Sequence, residues 1–124
     1  RHKGNWYSLN SPNQWIQFEF TEHFIRPDYY TLKSGRFWFL RSWEVLGSKD
    51  GSKWFLIDRK NNVNDINSKY SLKLYSTEKS DDCRFIRIVN TNEIKEKYIL
   101  CLSGVEFFGR LRKIRKSKKM NSNS

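Results

Sequence analysis

The stretch QWIQFEF (residues 14–20) alternates without a break: Ile16, Phe18 and Phe20 fall on one side, Gln17 and Glu19 on the other. A period of two is the mark of a strand with one face buried and one wetted. The same grammar returns down the chain. YYTLKS (29–34) reads as a second strand, introduced by a Pro27-Asp28 corner. SWEVLGS (42–48) reads as a third, with Trp43 and Val45 on one face. WFLIDR (54–59), YSLKLYS (70–76), CRFIRIVN (83–90) and YILCLSGVEFFG (98–109) supply the rest. Polar segments separate them: SPN (11–13), KDGS (49–52), NNVNDINSK (61–69), EKSDD (78–82) and TNEIKEK (91–97). KDGS is the strongest hairpin signal, because Asp-Gly tolerates the positive φ of a tight turn. No segment sustains a 3.6-residue period, and no internal repeat is visible. Short strands about ten residues apart, joined by polar turns, point to an antiparallel sandwich or barrel.

A chain of 124 residues suits one domain with its own core. Its five Trp, six Tyr and nine Phe lean the same way as the alternation, since aromatics favour strands. The net charge of +11 is concentrated. Residues 110–119, RLRKIRKSKK, hold seven Arg or Lys and no acid. Residues 1–109 hold seventeen basic and thirteen acidic side chains, a net of only +4. A basic run of this kind attracts polyanions through its field, or simply solvates the chain end. The expected organisation is a β-sandwich domain over 1–111 and a basic tail over 112–124.

Five pieces stand in an order that resembles the discoidin domain, also called the coagulation factor 5/8 type C domain. They are WIQFEF (15–20), YTLKS (30–34), SWEVLGSKDGSKW (42–54), RFIRI (84–88) and LSGVEFFG (102–109). The likeness covers roughly residues 5–111. In its finer pattern the chain looks most like discoidin-like domains of intracellular protist proteins. The resemblance implies an all-β, antiparallel jelly-roll β-sandwich of the galactose-binding-like class. It also implies a non-catalytic module that takes glycans, anionic phospholipids or proteins on loops at one end. In members that bind membranes, two apolar spikes do this, and here the corresponding segments are NWYSLN (5–10) and GRFWFL (35–40).

The candidate ligand-binding residues are therefore Trp6, Tyr7, Arg36, Phe37, Trp38 and Phe39. Rings flanked by guanidinium groups suit an anionic interface, a sugar face or a protein anchor point. The same apolar run also suits a strand buried on both faces. Phe37 and Phe39 are expected to be partly buried and Trp38 to face a partner. Trp15, Phe18, Trp43, Trp54, Phe85 and Phe107 are expected in the core. Arg87, between Ile86 and Ile88, needs a partner in its strand, and Glu106 is the candidate.

Little else carries chemistry. His23 reads as a surface-loop histidine, and with only His2 besides there is no metal set. Cys83 and Cys101 lack Cys-x-x-Cys spacing, and neither sits at a domain end, where the resemblance implies a disulfide in secreted members. No phosphate loop or nucleophile elbow occurs. No cofactor is expected. None of the eleven asparagines lies in an Asn-x-Ser/Thr triplet, which leans towards a cytoplasmic setting. A chain that begins at Arg1 reads as part of a longer protein. The expectation is a recognition module for a protein or glycan partner. The alternatives are anionic membrane binding by the aromatic segment and basic tail, and non-specific nucleic-acid association through residues 110–119.

Overall fold

The computed structural model describes residues 15–35, 40–63, 70–79, 81–91 and 102–114. Among them seven strands form two antiparallel sheets. They are β1 (Trp15–Glu19), β2 (His23–Ser34), β3 (Trp43–Ser48), β4 (Phe55–Lys60), β5 (Leu72–Ser76), β6 (Phe85–Asn90) and β7 (Leu102–Lys113). One sheet runs β1-β6-β3-β4 and the other β5-β2-β7. Every strand read from the alternation is present, and the architecture is the expected all-β antiparallel sandwich.

The inward rows meet in one core. Tyr30 and Leu32 of β2 face Trp43 and Val45 of β3, Ile57 of β4, and Ile86 and Ile88 of β6. A fully buried aliphatic side chain contributes about 2 kcal/mol, so this cluster supplies the main driving force. Tyr75 stacks on Tyr30 at 5.4 Å and meets the edge of Trp43 at 5.2 Å. Phe18 and Phe20 of the β1 region meet Phe107 edge-on at 5.5 and 6.4 Å.

Three register shifts interrupt the ladders, two between β2 and β7, at Pro27/Tyr29 and Lys33/Ser34, and one between β3 and β4. Pro27 does not make a corner. It lies inside β2, where the β2–β7 register shifts between Pro27 and Tyr29. A proline is tolerated there because a bulge already interrupts the ladder. Opposite it stands Gly109, at which a Cβ would lie 2.0 Å from the Arg26 carbonyl oxygen. The bulge between β3 and β4 makes Ile57 the extra residue. It leaves both Ile57 and Asp58 fully buried. Asp58 accepts hydrogen bonds from the Tyr30 hydroxyl and from Lys60 Nζ, the latter at 3.0 Å, while Trp43 Nε1 donates to the Tyr30 oxygen at 3.0 Å. Burial first, and the Asp58 carboxylate second, hold the Tyr30 phenol far above its ordinary pKa, so it stays a donor.

Some expectations change. Trp15 is 46% exposed and belongs to the outer face. Trp54 and Phe85 are half-buried, whereas Trp43 is fully buried and Phe18 and Phe107 pack against the core. Arg87 does not meet Glu106, which lies on β7 in the other sheet. Its Nε donates to Gln17 Oε1 at 2.7 Å, and its guanidinium is stacked between Trp15 at 4.0 Å and Trp54 at 4.1 Å. Cross-strand neighbours on the same face made that pairing, as parity requires. β7 runs two residues past 111, so Arg112 and Lys113 belong to a strand rather than to a tail.

Candidate functional site at the loop-bearing end

The ladders place seven strand ends together. Trp15 pairs with Val89, Trp43 with Asn90 and Lys60, Lys33 with Leu72, and Ser34 with Leu102. The chain before β1 and the connections 35–42, 61–71 and 91–101 therefore all leave from one end of the sandwich. Both segments singled out in the sequence, 5–10 and 35–40, are among them. Trp6, Tyr7, Arg36, Phe37, Trp38 and Phe39 themselves lie outside the described residues, as does Cys101. Leu40, which follows the 36–39 segment, is buried to 1% exposure.

Hydrogen bonds stitch this end from serine to serine. Ser42 Oγ accepts from Asn62 N at 2.7 Å, and its carbonyl accepts from Thr91 N at 3.0 Å. Arg41 O accepts from Val63 N at 2.9 Å. Ser34 Oγ accepts from Ser71 N at 2.8 Å, and its carbonyl accepts from Ser103 Oγ at 2.8 Å. Short hydroxyls suit this task because they satisfy backbone groups where ladders end.

Tyr70 completes the rim. Its N–H donates to Gly35 O at 3.3 Å, beside the 36–39 segment. Its backbone is left-handed, φ 57°, and its ring is 45% exposed. An L-residue with a bulky side chain pays roughly 1–2 kcal/mol for that conformation, so the surroundings must enforce it. Sequence reading places Tyr70 as the first residue of an alternating strand and misses it as a rim residue. Asn62, also left-handed at φ 50°, is the residue type that tolerates this best.

The opposite end carries tight turns and ion pairs, beside a hollow of about 690 Å³ lined by Phe20, Glu22, His23, Phe107 and Leu111 among others. Ser48 Oγ accepts from Gly51 N at 2.8 Å, and Asp50 Oδ1 accepts from Ser52 N at 2.8 Å and Lys53 N at 3.0 Å. Gly51 supplies the positive φ, 82°. The Lys53 and Ser52 N–H groups hold the Asp50 carboxyl below its ordinary pKa. The Ser-x-Asp-Gly signature is thus a turn device. Nearby, Asp82 binds Arg112 at 2.7 Å and Arg26 at 3.3 Å, and Arg110 lies 3.8 Å from Asp28. Arg112, chiefly by its hydrogen bond, keeps the Asp82 carboxyl below the usual carboxylate range. His23 is a strand residue opposite Lys113, not a loop histidine. Among the described residues no group of His, Cys, Asp and Glu could hold a metal ion. Cys83 is buried and unbridged, and burial pushes its thiol up to about 12.

No family model and no curated relative matches the chain. Solved structures do match. The C-terminal domain of a chitobiase from Bacteroides fragilis superposes with a TM-score of 0.68 at 16% identity, over 87% of this chain and 74% of that one. A family 32 carbohydrate-binding module from Clostridium perfringens, in complex with GalNAc-β-1,3-galactose, gives 0.64 at 16% identity, over 85% and 75%. The family 32 module of Clostridium perfringens NanJ, in complex with galactose, gives 0.64 at 9% identity, over 83% and 74%. At such identities the likeness concerns the fold: the chain is a two-sheet sandwich built like the family 32 carbohydrate-binding modules, which are discoidin-like, galactose-binding-like domains.

Proposed function

We propose that this chain is a non-catalytic recognition module of a larger protein, which binds a glycan through the loops at one end of its sandwich. One observation carries the reading. The topology brings Trp15 at the start of β1, Gly35 and Leu40, which flank residues 36–39, and the half-exposed, left-handed Tyr70 to a single end. Exposed rings stack on the apolar faces of sugars, and nearby backbone and Ser groups orient hydroxyls. Fold neighbours solved with galactose and with GalNAc-β-1,3-galactose support the ligand class. Placement in the cytoplasm belongs to the same proposal and draws support from the unbridged Cys83, whereas the likeness to intracellular protist proteins rests on the sequence pattern alone. The basic run is a weaker candidate, because two of its arginines, Arg110 and Arg112, already face Asp28 and Asp82.

The test is a panel of galactose- and N-acetylgalactosamine-terminated glycans offered to the full chain, with Trp38→Ala and Tyr70→Ala beside it. Saturable binding lost in either variant supports the reading. A folded protein that binds no sugar refutes it. Binding to anionic liposomes or to a protein partner would then identify the occupant of these loops.

A further inference from the structure

β7 is an edge strand. In the order β5-β2-β7 it has β2 on one side and, among the described residues, no strand on the other. Its neighbours decide which backbone groups point to that open side. Opposite residues of an antiparallel ladder either exchange both hydrogen bonds or exchange none. Ile25 N and Ile25 O both bond Cys83, at 2.9 Å each, so neither reaches β7. Leu111, opposite Ile25, therefore aims its own N–H and C=O at the open side, and Gly109 and Lys113 share its parity. Pro27, which has no N–H to give, stands opposite Gly109 as this pattern requires.

The side chains there are also uncovered. Residues 108–113 are all exposed. Leu111 is 61% exposed, although Ile25, its cross-strand neighbour on the same face, is 3% exposed. β1 is the edge of the other sheet, and the contacts of Phe18 and Phe20 with Phe107 put both edges on one flank. The 690 Å³ hollow lies there, bounded by Phe20, Ile25, Phe107 and Leu111. An unpaired edge beside a pocket suits an added strand: main-chain bonds supply affinity, and the pocket selects alternate side chains.

Charge picks the occupant. Arg110 and Arg112 have side chains 70% and 61% exposed, and both meet their acids, Asp28 and Asp82, on the β2 side. A guanidinium has five N–H donors, so each can take a second carboxylate from the open side. The hollow carries Glu19 and Glu22, which repel acids from the inner row. A second copy of β7 would set these arginines against their own kind, which destabilises a sheet. Residues 1–14 and 115–124 contain no acid and do not supply the match either.

We infer that β7 takes up an extended peptide segment of a partner protein as a further strand beside residues 109–113. Its acidic side chains lie in the row of Arg110 and Arg112, and its apolar ones over Leu111 and the hollow. A slip by one residue would carry the acids onto Glu22. This site lies at the other end from the loops and does not depend on the glycan reading.

The probe is a capped, fluorophore-labelled peptide of about seven residues that alternates glutamate and valine, read by anisotropy against the full chain. A block peptide of the same composition and an alternating lysine-valine peptide should each bind about tenfold more weakly. Leu111→Pro deletes one outward N–H without touching the β2 ladder and should weaken binding about tenfold, against about threefold for Leu111→Ala. Arg110→Glu leaves the edge backbone whole and should remove most of the preference for the acidic peptide. It keeps the test decisive should Leu111→Pro fail to fold, with near-ultraviolet circular dichroism as the control. Equal binding of the block peptide, or full binding by a folded Leu111→Pro, overturns strand addition. A preference untouched by Arg110→Glu overturns the assignment of the acidic row. No binding of any peptide overturns the whole inference and leaves the loop site as it stands.

Discussion

The two outer faces of this sandwich both carry aromatic residues, and they treat them in opposite ways. On the four-stranded sheet, Trp15 and Trp54 hold Arg87 between their rings, Gln17 fixes its Nε, and Arg59 meets Glu44 at 2.8 Å. On that face Arg87 occupies both rings, although Trp15 stays as exposed as Phe108. On the three-stranded sheet, Tyr29, Leu72, Leu74 and Phe108 stand exposed, with Leu72 and Leu74 each at 61%. Exposed rings alone thus do not mark a binding face. What separates the faces is whether neighbouring strands supply a side chain that occupies the rings.

The contrast can be broken first at the seam that builds the open face. Gly109→Ala sets a methyl against the Arg26 carbonyl, which must shift or strain, and should cost about 3 kcal/mol or more in urea unfolding. A cost near zero would mean that β2 and β7 do not approach as described. Next, Arg87→Ala removes a cation shared by two rings and should cost about 1–2 kcal/mol, with tryptophan emission shifting to the red as Trp15 and Trp54 lose their cover. Unchanged emission would show that the stack does not shield them.

A smaller effect sits where the turn between β5 and β6 grips the ribbon of β2 and β7. Asp82 has a folded pKa held below its unfolded value of about 3.9. Its stabilisation is therefore present above that value and lost as the pH falls through the folded pKa. Asp82→Asn should lower the melting temperature near pH 7, and the difference from wild type should shrink below about pH 4. A difference independent of pH would assign the effect to packing. Smallest of all, Leu74→Thr keeps a strand former on the open face and should change stability by less than about 0.5 kcal/mol. If it cost as much as Arg87→Ala, the two faces would not differ as described.

Much of the fold could be read from the sequence, since alternation named every strand and Asp-Gly named the hairpin. The failures are particular. Trp15 shares parity with Gln17 and Glu19, so the pattern already set it outside, and residue size is a poorer guide than parity. In β5 both rows contain apolar residues, Leu72 and Leu74 on one side and Tyr75 on the other. Only the stack of Tyr75 on Tyr30 and Trp43 decides which row turns inward. The candidate loops were legible as segments and the topology unites their flanks. Tyr70 carries no local signal, because its left-handed backbone is linked to Gly35, thirty-five residues earlier.

The extra residue at Ile57 has a consequence for how the chain finds its pairing. Any alignment of β3 with β4 that omits the bulge turns Asp58 towards water and leaves the Tyr30 hydroxyl without its carboxylate acceptor. Strands rich in similar apolar residues are prone to slide by one position. A single buried acid that fits only one alignment makes the near-miss sheet less stable than the bulged one, so the identity of one side chain sets the register of two strands.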